Sequence, residues 1–263
     1  MQSKHALLLL PLALVLAAAA PRADQDPFRW SGEVPRGRSI EVRGIQGDIR
    51  AEPASGSQVE VVAHKRAGRR GDPGDVRLEV VRHEGGVTVC AVYPTPAGAR
   101  ANRCAPGGGG GQSVRDNDVR VDFTVRVPAG VRLVARNVSG DIETGALRSP
   151  VSARTVSGSV RLATSEWGEA STVSGDISAA LGRAAWQDEL DFRTVSGNIS
   201  LELPSGADTE VRAETVSGRV SSDFALNEMR GYVHHRVRGT LGSGGRTLEL
   251  KSVSGDIRLR RGR

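Results

Sequence analysis

Thr172-Val173-Ser174-Gly175-Asp176-Ile177 is one of six closely similar phrases in this 263-residue chain. The others are Asn137-Val138-Ser139-Gly140-Asp141-Ile142, Thr155-Val156-Ser157-Gly158-Ser159-Val160, Thr194-Val195-Ser196-Gly197-Asn198-Ile199, Thr215-Val216-Ser217-Gly218-Arg219-Val220 and Ser252-Val253-Ser254-Gly255-Asp256-Ile257. Their glycines step by 18, 17, 22, 21 and 37 residues. The last step is double and contains a degraded copy, Val237-Arg238-Gly239-Thr240-Leu241. An early copy, Ile45-Gln46-Gly47-Asp48-Ile49, precedes the clear repeats. A period near 20 residues is the mark of a stacked architecture, in which each unit buries its apolar side only against its neighbours.

The phrase reads as a strand. Residues i, i+2 and i+4 of an extended chain share one face. Val173, Gly175 and Ile177 are therefore expected inward, with Ser174 and Asp176 outward. A glycine on the inner face marks a bend, a bulge or a close approach of stacked backbones. Val, Ile and Thr suit a pleated surface, and no apolar pattern at helical spacing runs through the repeats. The repeats predict an all-β, single-stranded β-solenoid (a parallel β-helix) with coils of about 17–22 residues. Short strands at regular spacing also fit a β-sandwich of hairpins, and the near-constant phrase favours the solenoid. Its glycine row would comprise Gly47, Gly140, Gly158, Gly175, Gly197, Gly218, Gly239 and Gly255.

The N-terminal third has strand-like runs at Ser39–Val42, Val59–Val62, Val76–Val80 and Val87–Cys90. The last two flank Glu84-Gly85-Gly86, a hairpin turn, so antiparallel pairs are expected before the regular coils. A long loop follows, from Pro94 to Asp118, with five consecutive glycines at Gly107–Gly111. Strand alternation resumes at Val119–Val127, and a short helical insertion is expected around Trp186 to Leu190.

Residues 1–23 read as a signal peptide: Lys4 and His5 precede an apolar run from Ala6 to Ala20, short for a membrane span, with cleavage between 19 and 23. Residues 24–263 then form one solenoid domain, with no further hydrophobic run and no integral membrane segment after cleavage. The predicted location is extracytoplasmic: periplasmic, on the cell surface or secreted. In an oxidising compartment the only two cysteines, Cys90 and Cys104, read as a disulfide. The formal net charge is +6, nearly all from arginine, since lysine occurs only at 4, 65 and 251. This balance suits anionic envelope polymers or headgroups, although the interspersed acids favour an ordinary solvated surface. Nine aromatic residues leave little for stacking on bases or sugars, and an export leader conflicts with a nucleic-acid partner in the cytoplasm.

The search for chemistry yields little. Asp141, Asp176 and Asp256 could line one edge as oxygen ligands for calcium. The equivalent positions are Ser159, Asn198, Arg219 and Thr240, and an arginine in that row repels a cation. Bonds from these side chains to local backbone are the better reading, and no metal or cofactor is expected. His64 and His83 are isolated, and His234 and His235 would face opposite ways in a strand. No nucleophile elbow occurs, and a serine in every coil argues for structure, since catalysis needs one. No catalytic residue is assigned.

The T-V-S-G-D-I phrases, the lead-in Val125-Arg126-Val127-Pro128-Ala129-Gly130 and the early Ile45–Ile49 copy resemble the bacterial DUF4097 family of adhesin-like proteins, over roughly residues 28 to 260. The resemblance implies an exported β-helical protein at the cell envelope and carries over no catalytic residue. The Cys90–Cys104 loop does not map onto it. The expected function is a non-enzymatic, adhesin-like repeat protein presenting rows of Ser, Thr and Asp to an envelope polymer or envelope protein. An envelope sensor that binds one protein partner and a β-helical enzyme acting on polysaccharide are the alternatives.

Overall fold

Ladders of aliphatic side chains, one residue per coil, form the interior of two facing sheets. The computed structural model describes residues 26–107, 111–183, 189–230 and 235–262. The predicted signal peptide, the three central glycines of the five-glycine run, His234 and most of the expected helical insertion lie outside them; Leu190 begins a strand. Among the described residues the only helix is one 3-10 turn, Pro73–Asp75.

The first sheet orders its ten strands Phe28–Glu33, Gln58–Arg66, Arg120–Val127, Ile49–Pro53, Ile142–Leu147, Val160–Thr164, Ile177–Leu181, Ile199–Leu203, Ile257–Arg261 and Val220–Ser222. The second sheet orders eleven: Asn227–Arg230, His235–Leu241, Thr209–Ser217, Thr247–Ser254, Leu190–Ser196, Gly168–Ser171, Val151–Arg154, Arg132–Arg136, Ser39–Arg43, Gly86–Val92 and Arg77–His83. Each coil places one strand in each sheet, and neighbouring coils pair in parallel. The protein is therefore a β-solenoid, and parallel pairing between coils sets it apart from a sandwich of hairpins.

The register explains the core. Ile49, Ile142, Val160, Ile177, Ile199 and Ile257 stack in one inward row of the first sheet, and all are buried. Leu133, Val151, Leu190, Leu248 and Val211 belong to the facing rows of the second sheet. Each such burial contributes about 1.5–3 kcal/mol. The narrow interior suits Val, Ile, Leu and Ala, with Phe123 and Phe192 among the few rings inside.

Two expectations change, and the order of the coils is a third finding. First, the valine of each phrase points outward and the residue before it inward. Val138, Val156, Val173, Val195, Val216 and Val253 are 38–48% exposed, whereas Asn137, Thr155, Thr172, Thr194, Thr215 and Ser252 are buried. Alternation belongs to the upstream strand, as in Leu190, Phe192 and Thr194, all inward. The chain then turns at Ser-Gly, so positions on the two sides of the corner do not share one alternation.

Second, the coils do not stack in chain order. The glycine contacts run Gly47, Gly140, Gly158, Gly175, Gly197, Gly255 and then Gly218. The C-terminal coil lies between its two predecessors, pairing with Leu190–Ser196 and Ile199–Leu203 on one side and Thr209–Ser217 and Val220–Ser222 on the other. The other end repeats the device. Ser39–Arg43 pairs with Gly86–Val92 and Arg132–Arg136, and Ile49–Pro53 with Arg120–Val127 and Ile142–Leu147.

Third, Gly239 stands outside the glycine row. It lies in His235–Leu241, an antiparallel strand paired with Thr209–Ser217, where Leu226 covers it. Antiparallel strands cap both ends of the stack, including the expected Arg77–His83 and Gly86–Val92 hairpin. Such caps keep the ends from templating further strands.

Gly175 combines a positive φ of 147° with a backbone approach that leaves no room for a side chain: an added Cβ would lie closer than 3.0 Å to the Gly158 carbonyl. Gly175→Ala should cost about 3 kcal/mol or more, lowering the melting temperature by roughly 6–12 °C. Gly56, with open space around it, is the control. Thermal unfolding of Gly56→Ala should match the parent to within about 0.5 kcal/mol.

Candidate binding surface

Each corner phrase is a set of bonds to the next coil. The Thr172 Oγ1 donates to the Gly158 carbonyl at 2.9 Å, Thr155 to Gly140 at 3.1 Å, Thr194 to Gly175 at 3.1 Å and Thr215 to Gly255 at 2.9 Å. Ser252 and Asn137 make the same bond, to Gly197 at 3.0 Å and Gly47 at 2.6 Å. The glycine N–H donates onward to a serine carbonyl, as from Gly175 to Ser196 at 3.0 Å. The acid completes the corner. An Asp48 carboxylate oxygen accepts from the Asp141 N–H at 3.0 Å, Asp141 from Ser159 at 2.8 Å, Asp176 from Asn198 at 2.7 Å and Asp256 from Arg219 at 2.8 Å.

These bonds explain the phrase residue by residue. They also correct its expected outward display: the Thr row is interior, and the Asp row staples adjacent coils. Asp141, Asp176 and Asp256 do share one edge, but each is engaged with backbone N–H groups. Among the described residues no cluster of three His, Cys, Asp or Glu side chains is placed to hold a metal ion. His83 Nε2 lies 3.1 Å from the Thr88 hydroxyl, while His64 lines a separate hollow with Asp48, Arg66 and Asp122.

The groups left facing outward lie on the two sheet faces. On the second sheet they bind one another. Glu169 accepts from Ser152 Oγ at 2.6 Å and faces Arg132 and Arg154 at 3.5 and 3.7 Å. Glu249 faces Arg193 at 2.6 Å and Lys251 at 2.5 Å. Burial raises the Glu249 pKa, but the Lys251 and Arg193 contacts outweigh it and hold the carboxyl below its usual range. Arg132 also stacks over Trp167, 5.0 Å from the ring centre.

The first sheet presents a different face. Glu143, Arg161, Ser178, Ser200 and Arg258 form one outward row at successive coils. Beside it runs a trough of about 260 Å³ with a floor that includes Ala163 and Ala180, and with Glu143, Arg161, Glu202 and Arg260 among its walls. Small residues on the floor open it, and charges of both signs line it. This trough is the candidate binding surface. Sequence reasoning missed it because its residues fall just after each phrase, where the repeat loses its regularity.

The long loop straps the second sheet near the N-terminal cap. Cys90 and Cys104 are joined as a disulfide, with Cα atoms 5.5 Å apart. Asn102 ties the loop internally, donating to the Ser113 carbonyl at 2.7 Å and accepting from its N–H at 2.8 Å. The Gly107 N–H donates to the Glu41 carboxylate at 2.9 Å, Arg43 Nη1 to the Ala105 carbonyl at 2.5 Å and Gln112 Nε2 to the Ala91 carbonyl at 2.8 Å. Beneath the strap, buried Glu41 faces Arg136 Nε at 2.9 Å. The Tyr93 hydroxyl donates to the Val119 carbonyl at 2.6 Å, and burial pushes its pKa up to about 12.

A family model described as Toastrack DUF4097 matches residues 36–260. No curated protein matches the chain. Solved structures that match the chain include one described provisionally as a cell adhesion protein from Clostridium sporogenes, 9% identical, with TM-score 0.46, covering 90% of this chain and 100% of its own. Another, described provisionally as an adhesin from Bacteroides fragilis, is 9% identical, with TM-score 0.29, covering 90% and 97%. A third, described provisionally as a lipid binding protein from Parabacteroides distasonis, is 13% identical, with TM-score 0.23, covering 91% and 98%.

Two substitutions test the corner and the strap. Thr172→Val keeps the shape and removes the donor to Gly158, so urea unfolding should show a loss of about 0.5–1.5 kcal/mol. Replacing Cys90 and Cys104 with serine should cost about 3 kcal/mol and open the strap to limited proteolysis between residues 94 and 106, with the coils left intact.

Proposed function

Because the chain belongs to the Toastrack DUF4097 family, we propose that it is an exported, non-enzymatic, adhesin-like scaffold whose first-sheet trough binds an envelope polymer or envelope protein. The observation that carries this reading is the engagement of the repeated chemical groups. The Thr hydroxyls and Asp carboxylates are held in bonds between coils, so the phrase builds a rod, and recognition falls to the variable side chains beyond it. Those side chains recur at the coil spacing, about 4.8 Å, which suits an extended ligand held by many similar weak contacts.

Two features support an extracytoplasmic location. The Cys90–Cys104 disulfide belongs with an oxidising compartment, and the first 23 residues have the pattern of a cleaved leader. Among the described residues no helix is long and apolar enough to cross a membrane. The ligand is read as polar from the trough's hydroxyls and from its charges of both signs, Arg161 and Arg260 with Glu143 and Glu202.

Co-sedimentation with isolated envelope material, at low and at high salt, tests this reading. The purified protein should pellet at both, and Arg161→Glu combined with Arg260→Glu should weaken pelleting by about ten-fold. Loss of all pelleting at high salt would reduce the attraction to general arginine electrostatics. No pelleting at either salt would overturn the proposal.

A further inference from the structure

The outward valines form a continuous apolar ladder. Val138, Val156, Val173, Val195, Val253 and Val216 occupy six successive coils in spatial order, and half-buried Ile45 extends the row to a seventh. Their serine neighbours pair coil to coil along the whole edge. These six are the large hydrophobic residues most exposed among the described residues. Thr, the hydroxyl counterpart of Val, stands one position earlier in most of the same phrases, yet the outward position carries Val in all six.

Charge is distributed across this ladder by rule. Two positions before and three positions after each apolar residue lie the flanking rows. The flanks carry opposite charges in four coils: Arg43 with Asp48, Arg136 with Asp141, Lys251 with Asp256, and, with the signs exchanged, Glu214 with Arg219. The three central coils carry one charge each: Arg154 opposite Ser159, Asp176 opposite Ser171, and Arg193 opposite Asn198. No coil has like charges on its two flanks.

We propose that this edge docks against the same edge of a second copy of the chain, with the two solenoid axes parallel and equal coils facing each other. A two-fold axis along the ladder sets the left flank of each coil opposite the right flank of its twin. Arg136 then faces Asp141 of the second copy, Lys251 faces Asp256, and Glu214 faces Arg219. The exchanged signs in the Glu214 coil are complementary in this arrangement because both flanks exchange together. With the axes antiparallel, the basic flank would meet the basic flank along most of the edge. Spacing adds a second argument. A ladder with a step of about 4.8 Å is matched rung for rung by another ladder of the same step. Several flanking side chains also hold partners within the chain, such as Arg136 with Glu41 and Asp141 with Arg161, so docking extends existing ion networks.

The interface is small. Six steps of about 4.8 Å and a width of about 15 Å give about 430 Å² per copy, roughly 860 Å² in all, in the range of transient contacts. The pairing is therefore weak and reversible. It depends on the ladder and its flanks and is independent of what the trough binds.

Sedimentation velocity of the purified protein, from about 10 μM to about 1 mM, should show a reversible monomer–dimer equilibrium. Val156→Lys with Val173→Lys should raise the dissociation constant by about ten-fold or more and leave the melting temperature unchanged, since both sites are exposed. To fix the geometry, Val138→Cys should crosslink to itself through a short bismaleimide. Antiparallel axes would instead join it to a Val253→Cys chain. Monomer at every concentration, pairing unaffected by the lysines, or crosslinking only between the 138 and 253 variants would overturn the proposal. Loss of envelope pelleting by the lysine variant of a strictly monomeric protein would assign the ladder to an envelope partner and overturn it as well.

Discussion

Everything in this fold depends on how closely one glycine lies upon the next. At each corner the backbone of one coil sits against the Gly carbonyl of its neighbour with no room for a Cβ. That approach brings a Thr hydroxyl within 2.9–3.1 Å of the carbonyl and turns the chain from one sheet to the other. Interior backbone acceptors must be satisfied or carry a desolvation penalty. The inward Thr supplies the donor, and the Asp beyond the glycine accepts the N–H of the next coil. The remaining side chains are free to vary because the corner already fixes coil spacing and direction.

The aliphatic ladders and the corner bonds divide the work. Burial of the Ile and Leu rows provides the bulk of the driving force, which is non-directional. The corner bonds set the register, since a slip by one residue would set Val where Thr stands and leave the Gly carbonyl without its donor. The strap is a separate device. It holds the second sheet beside the N-terminal cap through one disulfide and bonds to Glu41, Arg43 and Ala91.

The solenoid, the coil length and the cap hairpin around Gly85 are legible in the sequence because they rest on local signals: a recurring glycine, alternating strands and a two-residue turn. The inward place of Ile177 is legible for the same reason. The outward place of Val173 is not, because the corner interrupts the alternation that assigns it, and the turn at Ser174-Gly175 is set by contact with the neighbouring coil. The position of Gly255 between Gly197 and Gly218 is illegible on different grounds. Equivalent copies carry equivalent ladders, so any order of stacking buries the same rows, and the order is decided by the connections and caps. Gly239 misleads because a Val-x-Gly-x-Leu pattern is as much at home in an antiparallel strand as in a coil. The trough lies where the repeat is weakest, so no periodic signal marks it.

The exchanged order of the last two coils bears on when the molecule can be finished. A ribosome delivers residues from the N-terminus onward. In a stack built in chain order, each coil could settle on the one before it as it emerged. Here the strands Thr247–Ser254 and Ile257–Arg261 fill an interior slot between coils made earlier. Until those two strands are released, the coil of Thr209–Ser217 has no parallel neighbour to rest on. A chain that stalls or is cut before Thr247 thus lacks the layer between the coils of Gly197 and Gly218, and the stack closes only when that pair of strands arrives.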